Sequence, residues 1–185
     1  MTFTVVYDAN VLFPSVLRDV LIRVARMGLN RARWSELILD EVFDAIREKR
    51  PDLDPAKLTR TRALMCAAVP DCLIDSTAVN ALVPSLTLPD PDDRHVLAAA
   101  ILAGAQVIVT TNLKDFPSGE LEKFSIEAKH PDAFLQDIYH LDGALMHQAV
   151  SEAAAAYKRP PMTVGELVER LDSLGLPISA SLLRR

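Results

Sequence analysis

The sequence predicts an α/β fold with a central parallel sheet and a helical C-terminal extension, and three features carry that prediction. A short apolar strand near the N-terminus ends in an acid and runs into an amphipathic helix, which is a βα unit. The run Gln106-Val107-Ile108-Val109-Thr110 is β-branched and keeps the unbroken apolar character of a central parallel strand. Beyond Pro117 the pattern changes to helices only.

Taken in order, residues 5–8 form the first strand, and Pro14 opens a helix with apolar Val16, Val20, Leu21, Val24 and Ala25 that stops at Gly28. Residues 32–34 fit a second short strand. Ser35 caps a helix over 36–49, which the Arg50-Pro51 step ends. Asp54-Pro55 pairs a cap with a first-turn proline and predicts a third helix over 55–68. Residues 71–74 are a further candidate strand. The proline-punctuated stretch 83–91 leads to a fourth helix whose body, 96–103, is apolar on all sides and must be buried before Gly104 closes it. After the strand at 106–110 come helices over 131–141, 144–158 and 164–174, the last following the Pro160-Pro161 break. The expected division is a core over 1–130 and a helical extension over 131–185.

A chain of 185 residues that is half hydrophobic suits one domain with some length to spare. Its formal charge of −5 excludes a protein that coats nucleic acid by bulk electrostatics, so any such contact must be local. With no basic leader, apolar signal core or bilayer-length apolar run, the expected location is the cytoplasm and no membrane partner is expected. Cys66 and Cys72 lack zinc-site spacing and read as reduced core residues; the histidines at 95, 130, 140 and 147 form no HxH or HExxH pattern and read as surface or packing residues.

The acids are better placed. Ligands of open parallel sheets bind outside the carboxyl ends of the strands. Asp8 falls there, as do Asn112 and Asp115 in the loop after the 106–110 strand, although a strand-end Asp can simply cap the next helix. Glu41 has Leu37, Ile38 and Ala45 at helical spacing, which sets a carboxylate on an apolar stripe; the alternative is a boundary residue that reaches water or pairs with an Arg. Asp92 and Asp93 stand in the first turn of the fourth helix, where the macrodipole explains one of them. Asp93 shares a face with Val96, Leu97 and Ala100, whereas Asp92 turns to the wetter side beside His95. Several acids without interleaved Cys or clustered His specify a hard cation, Mg2+ or Mn2+, which serves phosphate chemistry.

In order and spacing, Val5-Val6-Tyr7-Asp8-Ala9-Asn10, Glu41, the segment from Asp93-Arg94-His95 to Gly104, and Val109-Thr110-Thr111-Asn112-Leu113-Lys114-Asp115-Phe116 resemble the PIN-domain family, in particular VapC-type toxins of bacterial toxin–antitoxin pairs. The resemblance covers about residues 3–117. It implies a three-layer α/β/α sandwich, Mg2+- or Mn2+-dependent endoribonuclease activity on RNA, a homodimer, and a small cognate antitoxin that occupies the cleft. By motif Asp8, Glu41 and Asp93 match the metal-holding acids, and Asn10 and Thr110 match small polar positions that orient ligands. The family often has an acid where this chain has Asn112, which implies either a weakly held second ion or a site that leans on Asp115 instead. The extension over 131–185 lies outside the core motif set and is carried by a longer subgroup of similar toxins.

RNA needs a basic track beside an acidic pocket, and Arg18, Arg23, Arg26, Arg31 and Arg33, on and after the first long helix, are the candidates. The alternative is an ordinary solvated face with Asp19 and Arg23 paired. Trp34 reads as a core residue rather than a base-stacking one. Two competing functions remain at this point. A haloacid-dehalogenase-like phosphohydrolase also starts from a strand-end Asp, but it needs a second acid two residues on, where Asn10 stands. An inactive PIN-like module would hold a metal or a partner's Arg without turnover.

Overall fold

Five parallel strands in the order β3-β2-β1-β4-β5 form the sheet of this computed structural model, which describes residues 2–185. They are β1 (Thr4–Tyr7), β2 (Arg31–Ser35), β3 (Leu73–Ile74), β4 (Val107–Val109) and β5 (Glu127–Lys129). The helices are α1 (Ala9–Leu12), α2 (Ser15–Arg26), α3 (Glu36–Lys49), α4 (Pro55–Ala68), α5 (Ser76–Leu82), α6 (Arg94–Ala103), α7 (Ser118–Leu121), α8 (Pro131–Leu141), α9 (Gly143–Ala156), α10 (Val164–Ser173) and α11 (Pro177–Leu183). The architecture is the expected three-layer α/β/α sandwich with a helical extension. Among the described residues no helix is long and apolar enough to cross a membrane.

β1 lies between β2 and β4, with Val5 opposite Ala32 and Val107. Val5, Val6, Tyr7, Val107, Ile108 and Val109 are all buried, which is why these strands show no alternation. α6 packs along β1, β2 and β4, and Val96 to Ala100 on it are buried, as its all-round apolar sequence requires. Gly104 ends α6 in the left-handed region at φ +60°, which lets the chain turn directly into β4. On the side of Tyr7, α2 and α8 close the core: the Tyr7 hydroxyl accepts from Asn30 Nδ2 at 2.9 Å, and its ring meets Phe134 edge-on at 6.0 Å and stacks on buried Trp34 at 6.5 Å. Ser35 Oγ and the Asp54 carboxylate cap α3 and α4 as their sequence signals require.

The extension closes over this core. α9 lies along α2, and α8 and α10 pack on α9. Buried Asp132 accepts from Ile178 N at 3.1 Å, Ser179 N at 2.8 Å and Ser179 Oγ at 2.6 Å, so it holds the start of α11 against α8.

The structure corrects the sequence reading in several places. The chain beyond Pro117 is not helical only, because β5 adds a fifth strand beside β4. Its Glu-Ala-Lys sequence is a poor strand former that is tolerated at an edge. Asp92 and Asp93 do not sit in the first turn of α6; they belong to a separate 3-10 turn, Pro91–Asp93. The strand sought at 71–74 is only Leu73–Ile74, with Asp71 in a left-handed turn before it. Helices α1, α5, α7 and α11 were not anticipated; all are seven residues or shorter, below the length at which periodicity speaks.

Candidate active site

The adjacent carboxyl ends of β1 and β4 build the centre of the site. Asp8 leaves β1 in extended geometry and caps α1, its Oδ1 accepting from Ala9 N at 2.7 Å. Its Oδ2 accepts from Thr110 Oγ1 at 2.8 Å and from Asn10 Nδ2 at 2.8 Å. Asn10 also donates to Thr110 Oγ1, while Thr111 N and Asn112 N donate to Asn10 Oδ1 and Thr110 Oγ1, each at 3.0 Å. The cap reading of Asp8 holds for one oxygen, while the other is held by the two polar positions named from sequence. Burial raises the Asp8 pKa against the hydrogen bonds from Thr110 and Ala9, and the charge of Glu41 raises it further.

Asp93 is the most perturbed acid. Its Oδ2 is buried without a hydrogen-bond partner among the described residues. Burial first, then the charges of Asp8, Asp90, Asp115 and Glu41, push its pKa from the ordinary 3.8 to about 6. One carboxylate oxygen each from Asp90, Asp93 and Asp115 lies within 4.8 Å of the others, and Asn112 Nδ2 donates to Asp115. Glu41 meets His95, whose Nε2 is 2.6 Å from Glu41 Oε1. Burial lowers the His95 pKa, but the hydrogen bond and charge of Glu41, with Asp8 and Asp93, outweigh it and raise the pKa.

Thus Asp8, Glu41, Asp93 and Asp115 do converge, but not as one tight group: Asp93 and Asp115 cluster with Asp90, while Asp8 and Glu41 stand beside them and act on Asp93 by charge. Glu41 is not buried on the apolar stripe; its side chain is 46% exposed and its partner is a histidine rather than an Arg. Sequence reasoning missed Asp90, hidden in a proline-punctuated linker, and His95, read as a packing residue beside Asp92. Asp92 is exposed as expected, yet His95 turns inward, because the 3-10 turn shifts the helical phase between the two.

Comparison with known proteins bears on this arrangement. A family model described as PIN domain matches residues 4–114, more than half of the chain. The chain belongs to the PIN-domain family. A second model, described as VapC50 C-terminal domain, matches residues 131–185. A Mycobacterium tuberculosis protein named "Putative ribonuclease VapC50" is 45% identical over 95 residues, 50% of this chain and 54% of that protein. The chain thus spans about half the length of the curated relative it matches. No solved structure matches. The PIN-domain match takes in Asp8, Glu41, Asp90, Asp93, His95 and Asn112 and stops one residue before Asp115.

The arginine track does not border the acids of this PIN domain. Arg18 is buried and donates to Leu12 O at 2.9 Å and Phe13 O at 3.2 Å, which fastens α1 to α2. Arg23 faces Glu152 of α9 at 3.5 Å. Arg31 starts β2 opposite Thr4, at the end of the sheet away from Asp8, and Arg33 faces Leu73 O. Arg26 is exposed on the α2 side, beside a cleft that α4 shares. What does adjoin the acids is a groove of about 690 Å3 between α1 and α3, lined by Asn10, Phe13, Glu41, Val42, Glu48 and Lys49 among others. Lys49 Nζ lies 5.3 Å from the Phe13 ring centre in it.

The donor set of this PIN domain fits a hard divalent cation: all oxygen, crowded with like charge, and with one buried carboxylate oxygen that no proton donor among the described residues satisfies. A pH dependence follows. Asp93 binds its proton more tightly folded than unfolded, so between about pH 4 and pH 6 the native state holds the extra proton and stability falls as pH rises. The metal-free protein is expected to lose Tm across that window, measured by scanning calorimetry, and Asp93→Asn to lose less. Identical slopes in the two would show that Asp93 is not under strain.

Proposed function

We propose that this PIN domain is a Mg2+- or Mn2+-dependent endoribonuclease and the toxin of a toxin–antitoxin pair, acting in the cytoplasm. The observation that carries the reading is Asp93, a carboxylate with an unsatisfied buried oxygen among four other acids at the carboxyl ends of parallel strands. Family membership and the name of the Mycobacterium relative support it. Asp8, Glu41, Asp93 and Asp115, with Asp90 beside them, would hold the cation. When bound, the ion supplies positive charge to the phosphodiester and lowers the pKa of water.

The chain's own residues do the positioning. Thr110 and Asn10 hold Asp8 Oδ2, and Asn112 fixes the Asp115 carboxylate by an amide hydrogen bond. Asn10 is an amide that holds Asp8, Thr110 and Thr111, and it puts no acid at the position a haloacid-dehalogenase-like phosphohydrolase requires. RNA would enter along the groove between α1 and α3, where Lys49 is the adjoining cation. A small cognate antitoxin would cover the same cleft, residues 1–130 form the nuclease unit with 131–185 as its extension, and the chain would pair as a homodimer.

The test is RNA cleavage by the purified chain with Mg2+ or Mn2+ against chelator. Cation-dependent cleavage supports the reading, release of phosphate from small phosphoesters with RNA intact favours the phosphohydrolase, and cation binding without turnover leaves a binding module. In the same samples Mn2+ at ~100 times its dissociation constant should stabilise the fold by about 2.7 kcal/mol, read as a rise in Tm. An unchanged Tm at saturating Mn2+ would remove the shared cation site.

A further inference from the structure

The acids of the site differ in how they are held. Asp8 is fixed by Ala9, Asn10 and Thr110, Asp115 by Asn112, and Asp90 by the backbone N–H of Asp92 at 2.9 Å. Glu41 has none of these. It projects from an exposed position of α3 on a side chain with more rotamers to lose than an Asp, and α3 packs on α1, α4 and β2 rather than along α6. Left alone, it would sample water more than the site.

His95 is what reaches it. The ring comes from the first turn of α6, is 12% exposed, and sits where Asp8 and Asp93 both act on it by charge. Its Nδ1 is buried with no partner among the described residues, so no second hydrogen bond competes for the ring's orientation. Its Nε2, 2.6 Å from Glu41 Oε1, carries the proton, since a carboxylate only accepts. Oε2 of Glu41 has no hydrogen bond among the described residues and stays free.

We infer that His95 is a positioning residue that draws Glu41 from the solvent side of α3 into the cation site, one carboxylate oxygen held by the imidazole and the other left for the ion. The inference rests on Glu41 belonging to the cation-holding set. Partners that orient a ligating carboxylate typically contribute ~10–100-fold to metal affinity.

The experiment titrates the full-length chain with Mn2+ alone, by calorimetry, and checks each metal-free variant by circular dichroism and Tm. His95→Ala is expected to weaken Mn2+ binding ~10–100-fold. His95→Gln, whose amide can still donate to Glu41, should recover most of the loss, and the shorter His95→Asn should not. In a Glu41→Gln background, His95→Ala should cost nothing more, because its partner is already gone. Wild-type affinity in His95→Ala, equal affinities in the Gln and Asn variants, or an undiminished loss in the Glu41→Gln background would each overturn the inference. Failure of the underlying site reading looks different: Asp93→Asn and Glu41→Gln would then both bind Mn2+ as the wild type does. Should His95→Ala not fold, the Gln and Asn pair decides the matter alone.

Discussion

Asp93→Asn is expected to abolish RNA cleavage and the Mn2+-induced rise in Tm together, while Asp92→Asn leaves both nearly unchanged. The two acids are adjacent in sequence but not in environment. Asp92 is exposed and its backbone N–H is capped by Asp90, whereas Asp93 is half-buried, has one oxygen with no donor among the described residues, and feels four other carboxylates. Groups that merely support ligands cost ~10–100-fold when removed, and loss of a ligand should exceed that. Asp93→Asn should also raise the metal-free Tm above pH 6, since it removes a charge that burial and its neighbours penalise. A site mutation that inactivates and stabilises at once is hard to mistake for misfolding. Single-turnover cleavage and a Mn2+ thermal-shift series on both variants are the measurements; a loss in Asp92→Asn with Asp93→Asn intact would move the cation to the other side of the 3-10 turn.

What could be read from the residues divides along physical lines. β1, α2, α3 and α6 were legible because their apolar periodicity is local and their ends carry explicit signals: the strand-end Asp8, the Ser35 cap and the left-handed Gly104. Asn10 and Thr110 came from motif resemblance, and the structure adds what they touch, since both converge on one oxygen of Asp8. β5 was not legible, because Glu127-Ala128-Lys129 owes its conformation to hydrogen bonding with β4 rather than to its own preference.

The His95–Glu41 pair spans 54 residues and joins two helices, so no spacing rule could propose it. Asp90 enters through the same geometry, brought beside Asp93 by a turn that looked like linker. The arginines failed for the opposite reason. They follow Asp8 closely in sequence, but α2 fastens Arg18 to the end of α1, and β2 starts at the far end of the sheet. Sequence proximity to a strand's end does not fix which end of the next element returns to it.

Phe134→Ala is expected to destabilise the protein by about 3–5 kcal/mol, the usual range for emptying a buried aromatic site. Phe134 is 1% exposed and meets Tyr7 edge-on at 6.0 Å and Phe3 at 6.3 Å, so the first helix of the extension fills the same core as β1. The remaining extension follows it inward: Met146, Ala149, Val150 and Ala153 of α9 are buried, and Asp132 ties α11 back onto α8. With native stability of about 5–15 kcal/mol in all, one such cavity removes a large share. Leu141→Ala, at a position 61% exposed on the same helix, should stay within about 0.5 kcal/mol. Removal of residues 131–185 altogether uncovers Tyr7 and the α9-facing side of α2, and the truncated chain is expected to aggregate rather than fold as a soluble monomer. Because Tyr7 is the residue before Asp8, the extension also supports the strand end from which the site is built. Denaturant unfolding of the two variants and size-exclusion chromatography of the truncation test this. A truncated chain that stayed monomeric, kept its Tm and bound Mn2+ normally would make the extension a separate attachment and not part of the core that holds Asp8 in place.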